Sequence, residues 1–112
     1  MSTVLVVEDS SRVRPLIVRI LEDAGFVVLE AGNAEEAMNA APQADVVLSD
    51  ITLPDGSGLD LAQQLRLERP DLKFLFMSGF DVRLPEGYPF IEKPFRAEEL
   101  VDRVRGLLQE PE

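Results

Sequence analysis

The chain has 112 residues, which is the length of one domain. Hydrophobic residues make up 46% of it and charged residues 29%, a composition typical of a folded globular protein. Acidic residues outnumber basic residues 21 to 11, and the formal charge of −10 disfavours nucleic acid or an anionic membrane as the main partner. Cysteine and histidine are both absent, which excludes disulfides, thiolate or imidazole metal ligands and Ser-His-Asp triads. The chemistry must therefore come from carboxylates, hydroxyls and lysine.

Two further absences concern targeting. No apolar run approaches the roughly 20 residues that a membrane span needs. The N-terminal segment MSTVLVVEDS lacks the basic region and the long apolar region of a signal peptide. These features predict a cytoplasmic protein with a single domain over residues 1–112 and its core at about residues 3–108.

Five short apolar runs predict β-strands. They span about residues 3–7, 26–30, 44–49, 72–77 and 90–91. The first is apolar and β-branched on both faces, as in a strand that is buried inside a parallel sheet. Helical patterns separate the first four runs from one another, and this alternation of strands and helices predicts one parallel sheet.

Four segments with apolar residues at helical spacing predict amphipathic helices. Their limits are Ser10 or Ser11 to Gly25, Asn33 to Pro42, about residues 58–68 and about residues 96–108. Ser10, Ser11 and Asn33 are residue types that cap helix starts, whereas glycine and proline end helices. Only about 11 residues separate the fourth and fifth strands, and they include two glycines and two prolines. We therefore expect the fourth crossover helix to be reduced or absent.

Polar side chains follow four of the five strands. Glu8 and Asp9 follow the first strand, Asp50 the third, Ser78 the fourth and Lys93 the fifth. The carboxyl ends of parallel strands share one edge of the sheet, where ligands bind. Three carboxylates there raise one another's pKa, and Mg²⁺ relieves that repulsion. A carboxylate can accept a phosphoryl group, while a lysine and a hydroxyl neutralise its oxygens.

With these residues in place, the chain resembles the receiver (response regulator) domain of bacterial two-component signalling over about residues 3–108. The matching motifs are VLVVEDS, VVLSDITLPDGSGLDL, FLFMSG and FIEKPF, in that order. The resemblance implies an α/β protein with a three-layer flavodoxin-like (βα)5 fold. Its doubly wound parallel sheet has the order 2-1-3-4-5, with the fourth helix reduced or absent.

The resemblance also implies the site residues. Asp50 takes the phosphoacceptor position and receives a phosphoryl group from a sensor histidine kinase, a histidine phosphotransfer protein or a small phosphodonor. Mg²⁺ (or Mn²⁺) is the implied cofactor, held by Glu8, Asp9, Asp50 and the backbone carbonyl of Thr52. Phosphorylation then switches the affinity for a downstream protein that the sequence does not identify.

Three positions carry the implied switch. Ser78 takes the conserved hydroxyl position, Phe90 the aromatic switch position three residues before Lys93, and the Lys93-Pro94 bond is expected to be cis. In the family the fourth helix contributes to the dimerisation face, so its reduction leads us to expect a monomer. Each residue also has a simpler interpretation. Glu8 and Asp9 could be a solvated pair before a helix N-terminus, and Asp50 a helix cap or loop residue. Ser78 could be a turn residue, Lys93 a surface lysine and Phe90 ordinary core.

Other functions fit the sequence less well. The enzyme hypothesis is an aspartyl-phosphate phosphatase of the haloacid dehalogenase type, which places its nucleophile on the first strand with an Asp two residues later. Here Asp50 follows the third strand and Thr52 replaces that Asp. A flavin-binding module needs a phosphate loop where Glu8 and Asp9 stand. A degenerate receiver that only binds proteins is disfavoured because no site residue is missing. We expect no enzyme activity beyond self-phosphorylation and autodephosphorylation.

Overall fold

The structure, a computed structural model, describes residues 2–79 and 88–109. Its strands are β1 (Thr3–Val7), β2 (Val27–Ala31), β3 (Val46–Asp50), β4 (Thr52–Leu53), β5 (Gly56–Ser57), β6 (Lys73–Ser78) and β7 (Phe90–Glu92). Its α-helices are α1 (Val13–Asp23), α2 (Ala34–Ala40), α3 (Gly58–Glu68) and α4 (Ala97–Gln109), and a 3-10 turn covers Ala41–Gln43.

Five of the strands form one parallel sheet in the order β2-β1-β3-β6-β7. Counted along the chain, these are the first to fifth predicted strands, so the expected order 2-1-3-4-5 is confirmed. The sheet register places Asp50 beside Met77 and Ser78 beside Glu92. The strand ends that carry the polar residues therefore lie side by side at one edge.

Two apolar clusters, one on each face of the sheet, hold the helices in place. Leu5 and Val7 belong to the cluster that includes the buried residues of α2 and α3. Val4 and Val6 belong to the cluster that includes those of α1 and α4. Successive side chains of a strand point to opposite faces, which is why β1 is apolar throughout. The doubly wound three-layer architecture is confirmed.

Helix α1 shows how local sequence sets the element limits. The hydroxyl of Ser10 accepts hydrogen bonds from the amides of Arg12 (3.3 Å) and Val13 (3.2 Å), so Ser10 caps this helix start. At the other end Gly25 has φ of +98°, which a residue with a Cβ adopts only with strain. The amides of Gly25 and Phe26 bond back to the carbonyls of Glu22 and Leu21, closing a Schellman motif.

Strand β1 has its predicted limits, and the other four strands of the sheet differ from the predicted ones by one or two residues. Strand β2 begins at Val27 because the amide of Phe26 is engaged in ending α1. Strand β6 begins at Lys73 because the amide of Leu72 bonds the carbonyl of Arg69 in a turn. The β4–β5 hairpin between β3 and α3 was not predicted, since two-residue strands leave no recognisable pattern. The expected reduction of the fourth helix concerns residues 80–87, which lie outside the described residues.

The apolar stripe of α1 is only partly buried. Ile17 and Leu21 are buried in the core, whereas Leu16 is 64% exposed and Val13 is 37% exposed. Helical spacing places these four residues on one side of α1, but only part of that side is buried in the core. An apolar strip therefore remains on the surface beside Pro94 and Phe95. No helix among the described residues is long and apolar enough to cross a membrane.

Candidate acidic metal and phosphoacceptor site

Most of the predicted site residues meet in a cleft at the carboxyl edge of the sheet, namely Glu8, Asp9, Asp50, Thr52 and Lys93. The cleft has a volume of about 280 Å³. It is lined by Glu8, Asp9, Asp50, Ile51, Thr52, Met77, Gly79 and Lys93. The ends of β1, β3 and β6 supply its walls, and Lys93 follows β7. Parallel strand order thus brings together residues that are up to 85 positions apart in the sequence.

Three carboxylates in the cleft form a compact group of oxygen donors. Glu8, Asp9 and Asp50 each offer one oxygen, and these three oxygens lie within 4.8 Å of one another. Glu8 and Asp50 are buried and Asp9 is exposed, so the group is anchored on one side and open to solvent on the other. Hard divalent cations such as Mg²⁺ take oxygen ligands and keep several waters. The donor set and the open side therefore fit Mg²⁺.

Lys93 is the counter-ion of this group. Its Nζ lies 2.7 Å from Oδ1 of Asp50 and 3.1 Å from Oε1 of Glu8. The Lys93 amide donates to the Ser78 carbonyl at 2.8 Å, which fixes its backbone beside β6. The Lys93-Pro94 peptide bond is cis, as expected. One ammonium thus contacts two buried carboxylates, and a net negative charge remains in the cleft.

Burial and these contacts shift the pKa values of the cleft residues. Burial and the hydrogen bond with Glu8 raise the pKa of Asp50 to about 7, although Lys93 opposes the shift. For Glu8, burial raises the pKa, but hydrogen bonds to Asp50 and Lys93 outweigh it and the pKa is lowered. Burial likewise opposes the charged form of Lys93, yet its two carboxylate partners raise its pKa overall. The environment of the cleft therefore favours the ionised form of Glu8 and makes Asp50 easier to protonate than a free aspartate.

The backbone around Asp50 is held by contacts that the sequence analysis did not identify. The Ser49 hydroxyl donates a hydrogen bond to the Asp50 carbonyl at 2.8 Å. The amide of Gly58, the first residue of α3, donates to the Ile51 carbonyl at 2.6 Å. A Cβ at Gly58 would overlap the carbonyl oxygen of Asp50. The start of α3 therefore packs directly against the backbone of the acceptor residue, and only glycine fits there.

Arg14 fixes the backbone next to Glu8 and was also missed. Its Nη1 donates to the Glu8 carbonyl at 2.8 Å, and its Nε lies 3.1 Å from Oε1 of Glu30 on β2. The Ser10 amide donates to Oε2 of Glu8 at 3.3 Å. The signal in the sequence was an arginine in the first turn of α1, which can reach back to the strand end before it.

Two predicted switch residues lie outside the cleft. Ser78 is buried at the end of β6, and it is not among the described residues that line the cleft with Asp50 and Lys93. Phe90 lies on β7, which pairs only with β6 in the described sheet, and its side chain is 46% exposed. The simpler interpretation of Phe90 as a buried core residue is therefore wrong. Its carbonyl accepts a hydrogen bond from Nη2 of Arg103 at 2.8 Å.

The parallel sheet with an acidic cleft at its carboxyl edge defines an α/β protein that can hold a divalent cation beside a carboxylate. A sequence model of the response regulator receiver domain matches residues 4–105, and the chain belongs to this family. Receiver domains are the phosphoacceptors of two-component systems and bind Mg²⁺ at an acidic cluster. They interact with histidine kinases or phosphotransfer proteins.

Similar proteins include both longer proteins and single receivers. The chain is 36% identical to the sensor kinase CckA of Brucella abortus over 96% of its own length, but it spans only 13% of that protein. It is 36% identical to the probable transcriptional regulator TcrX of Mycobacterium tuberculosis and spans 50% of it. It is 30% identical to the receiver protein CpdR of Brucella abortus, over 96% of this chain and 98% of CpdR.

Solved structures share the fold across nearly the whole chain. The receiver domain of the hybrid histidine kinase CckA superposes with a TM-score of 0.83 at 32% identity, covering 96% of this chain and 100% of that one. The response regulator TrrA of Thermotoga maritima, in complex with Mg²⁺ and BeF, gives a TM-score of 0.87 at 29% identity. That match also covers 96% of this chain and 100% of the other.

Proposed function

We propose that residues 1–112 act as one receiver domain in which Asp50 is the phosphoacceptor. The observation that carries this proposal is the convergence of Glu8, Asp9, Asp50 and Lys93 on one cleft. An oxygen of Asp50 would attack phosphorus in a phosphohistidine or a small phosphodonor. The bond from phosphorus to the leaving group then breaks, and an aspartyl phosphate forms. The protein would then switch its affinity for a downstream partner.

Mg²⁺ is the proposed cofactor. Glu8, Asp9, Asp50 and the backbone carbonyl of Thr52 would hold it, and Thr52 lines the same cleft as the three carboxylates. The cation would supply positive charge against the phosphoryl oxygens. The complex of the relative TrrA with Mg²⁺ and BeF supports this assignment.

Lys93 and the two switch residues have distinct proposed roles. Lys93 already lies 2.7 Å from Asp50 Oδ1 and would pair with a phosphoryl oxygen after transfer. Ser78 would move its hydroxyl toward that group from the end of β6. Phe90 would change its exposure in response, and it starts from a half-exposed position at the edge of the described sheet.

Labelling with acetyl phosphate tests the acceptor. With Mg²⁺ present, the intact mass of the wild-type protein is expected to rise by one phosphoryl group, whereas Asp50→Asn should not be labelled. Asp60→Asn is the matched control, because Asp60 is an exposed carboxylate in the first turn of α3. Chelation of the metal should abolish labelling, since uncompensated carboxylates repel the incoming phosphate. Labelling of Asp50→Asn at the wild-type rate would refute the assignment, and an unlabelled wild type would favour the binding-only receiver.

A protein donor is the proposed physiological source of phosphate, and a surface beside the cleft supports this choice. A groove of about 540 Å³ lies between α1 and the segment after β7. Its apolar lining residues are Val13, Leu16, Ile17, Ile20, Pro94 and Phe95. Lys93 lines both this groove and the cleft, so a protein bound in the groove is adjacent to Asp50. We propose that a histidine kinase or phosphotransfer protein docks here with an apolar surface.

Leu16→Asp tests this docking surface. We expect at least about a tenfold slower transfer from a protein donor, because an apolar contact is replaced by a desolvated charge. Labelling by acetyl phosphate should be unchanged, since that donor needs no groove. Leu67→Asp is the control, because Leu67 is 85% exposed on α3, outside the groove. Equal transfer rates for the Leu16 and Leu67 variants would contradict the docking proposal.

A further inference from the structure

Asp55 joins the segment that follows Asp50 to a distant helix. Its Oδ1 accepts a hydrogen bond from the Ala34 amide at 2.8 Å, and its Oδ2 accepts one from the Glu35 amide at 3.1 Å. These are the first two amides of α2, which have no partner within the helix. One carboxylate therefore ties the β4–β5 hairpin to α2 across about 20 positions of sequence.

Helix α2 has its own cap and does not depend on Asp55 alone. Oδ1 of Asn33 accepts a hydrogen bond from the Glu36 amide at 2.8 Å. Oε1 of Glu36 in turn accepts one from the Gly32 amide at 2.7 Å. This arrangement is close to the reciprocal capping box of helix starts. Loss of the Asp55 hydrogen bonds should therefore affect the position of the hairpin more than the stability of α2.

Few other interactions of the described residues hold the hairpin in position. Its strands are two residues long, with Thr52 opposite Ser57 and Leu53 opposite Gly56. Leu53 is buried in the core, but the turn that follows it is exposed. An isolated hairpin of this length is not stable on its own. The first residue of the hairpin, Thr52, lines the cleft beside Asp50. Any movement of the hairpin would thus change the shape of the cleft.

We propose that Asp55 is a positioning residue for the metal site. By holding the hairpin against α2, it keeps the backbone carbonyl of Thr52 at the cleft, where it can act as a metal ligand. The inference rests on the proposed function, in which that carbonyl binds Mg²⁺. Groups that hold a ligand in place contribute to metal affinity although they do not touch the ion. Asp55 would therefore couple the start of α2 to the affinity for the cation.

Mg²⁺ affinity, measured by calorimetry, tests the proposal with a matched pair of variants. Asp55→Ala and Asn33→Ala each remove a side chain that binds amides at the start of α2, but only Asp55 belongs to the hairpin. We expect Asp55→Ala to weaken Mg²⁺ binding about tenfold, the loss typical of a group that orients a ligand. Asn33→Ala should stay within about twofold of the wild type, since the hairpin contact remains. Asp55→Asn keeps one acceptor oxygen and should recover part of the affinity.

A second measurement separates this proposal from the assignment of the metal site. Amide hydrogen exchange of the metal-free protein should show faster exchange at Ala34 and Glu35 in Asp55→Ala. A wild type that binds Mg²⁺ together with an Asp55→Ala variant of equal affinity would overturn the role of Asp55 alone. Equal weakening by Asn33→Ala would also overturn it, because the effect would then come from α2. A wild type that does not bind Mg²⁺ would overturn the proposed metal site, and this inference with it.

Discussion

Gly58→Ala is expected to lower the free energy of unfolding by about 3 kcal/mol, the upper end of what overpacking costs. The added Cβ would overlap the carbonyl oxygen of Asp50 and approach Oγ of Ser49 to 3.1 Å. Neither group can move freely, because Ser49 pairs with both β1 and β6 and Asp50 pairs with Met77 of β6. The strain would fall on the backbone of the acceptor residue, so phosphorylation of the folded fraction should slow as well.

Urea unfolding measures the free energy of unfolding of Gly58→Ala and of a control variant, Gly56→Ala. Gly56 lies two residues earlier in the same segment, and a Cβ there would meet nothing within 4 Å. We expect Gly56→Ala to change the free energy of unfolding by no more than about 0.5 kcal/mol, as is usual for open surface positions. Equal destabilisation by the two variants would show that the segment needs glycine for flexibility, and not for the close approach to Asp50.

Asp50→Asn is expected to stabilise the metal-free protein, and more so at high pH. In the folded protein, burial, followed by the hydrogen bond with Glu8, raises the pKa of Asp50 from 3.8 to about 7. Between these values the folded state holds a proton that the unfolded state has lost, so stability falls as pH rises through this range. Asparagine does not titrate and avoids this loss. The gain from Asp50→Asn should be roughly 2 kcal/mol larger at pH 8 than at pH 5.

Thermal unfolding in the presence of a chelator, at pH 5 and pH 8, measures this difference. Asp60→Asn serves as the control, since it removes the same negative charge at an exposed position outside the cleft. Addition of Mg²⁺ should reduce the advantage of Asp50→Asn at pH 8, because the cation stabilises the ionised cluster. A gain that does not depend on pH would mean that Asp50 titrates near its ordinary value in the folded protein.

The sequence by itself determined the layout of the site. The alternation of apolar runs with amphipathic segments predicts a parallel sheet, and parallel strands end at one edge. Glu8, Asp50 and Lys93 each follow or end a predicted strand, so the sequence places them at the same edge of the sheet. The observed contacts between Lys93 and the two carboxylates are consistent with that rule. The strand limits were less accurate because the neighbouring turns take up individual amides.

Only the tertiary structure decided the features that depend on contacts between distant backbone groups. The sequence contains Gly58 and Asp55, but it does not show that one contacts the Asp50 carbonyl or that the other binds α2. Leu16 belongs to the same helically spaced apolar pattern as the buried Ile17 and Leu21 of α1, yet it is exposed in the structure. Phe90 is exposed because β7 has a neighbour on only one side in the described sheet. Sequence periods specify which face of an element is apolar, but the neighbouring elements decide how much of that face is covered.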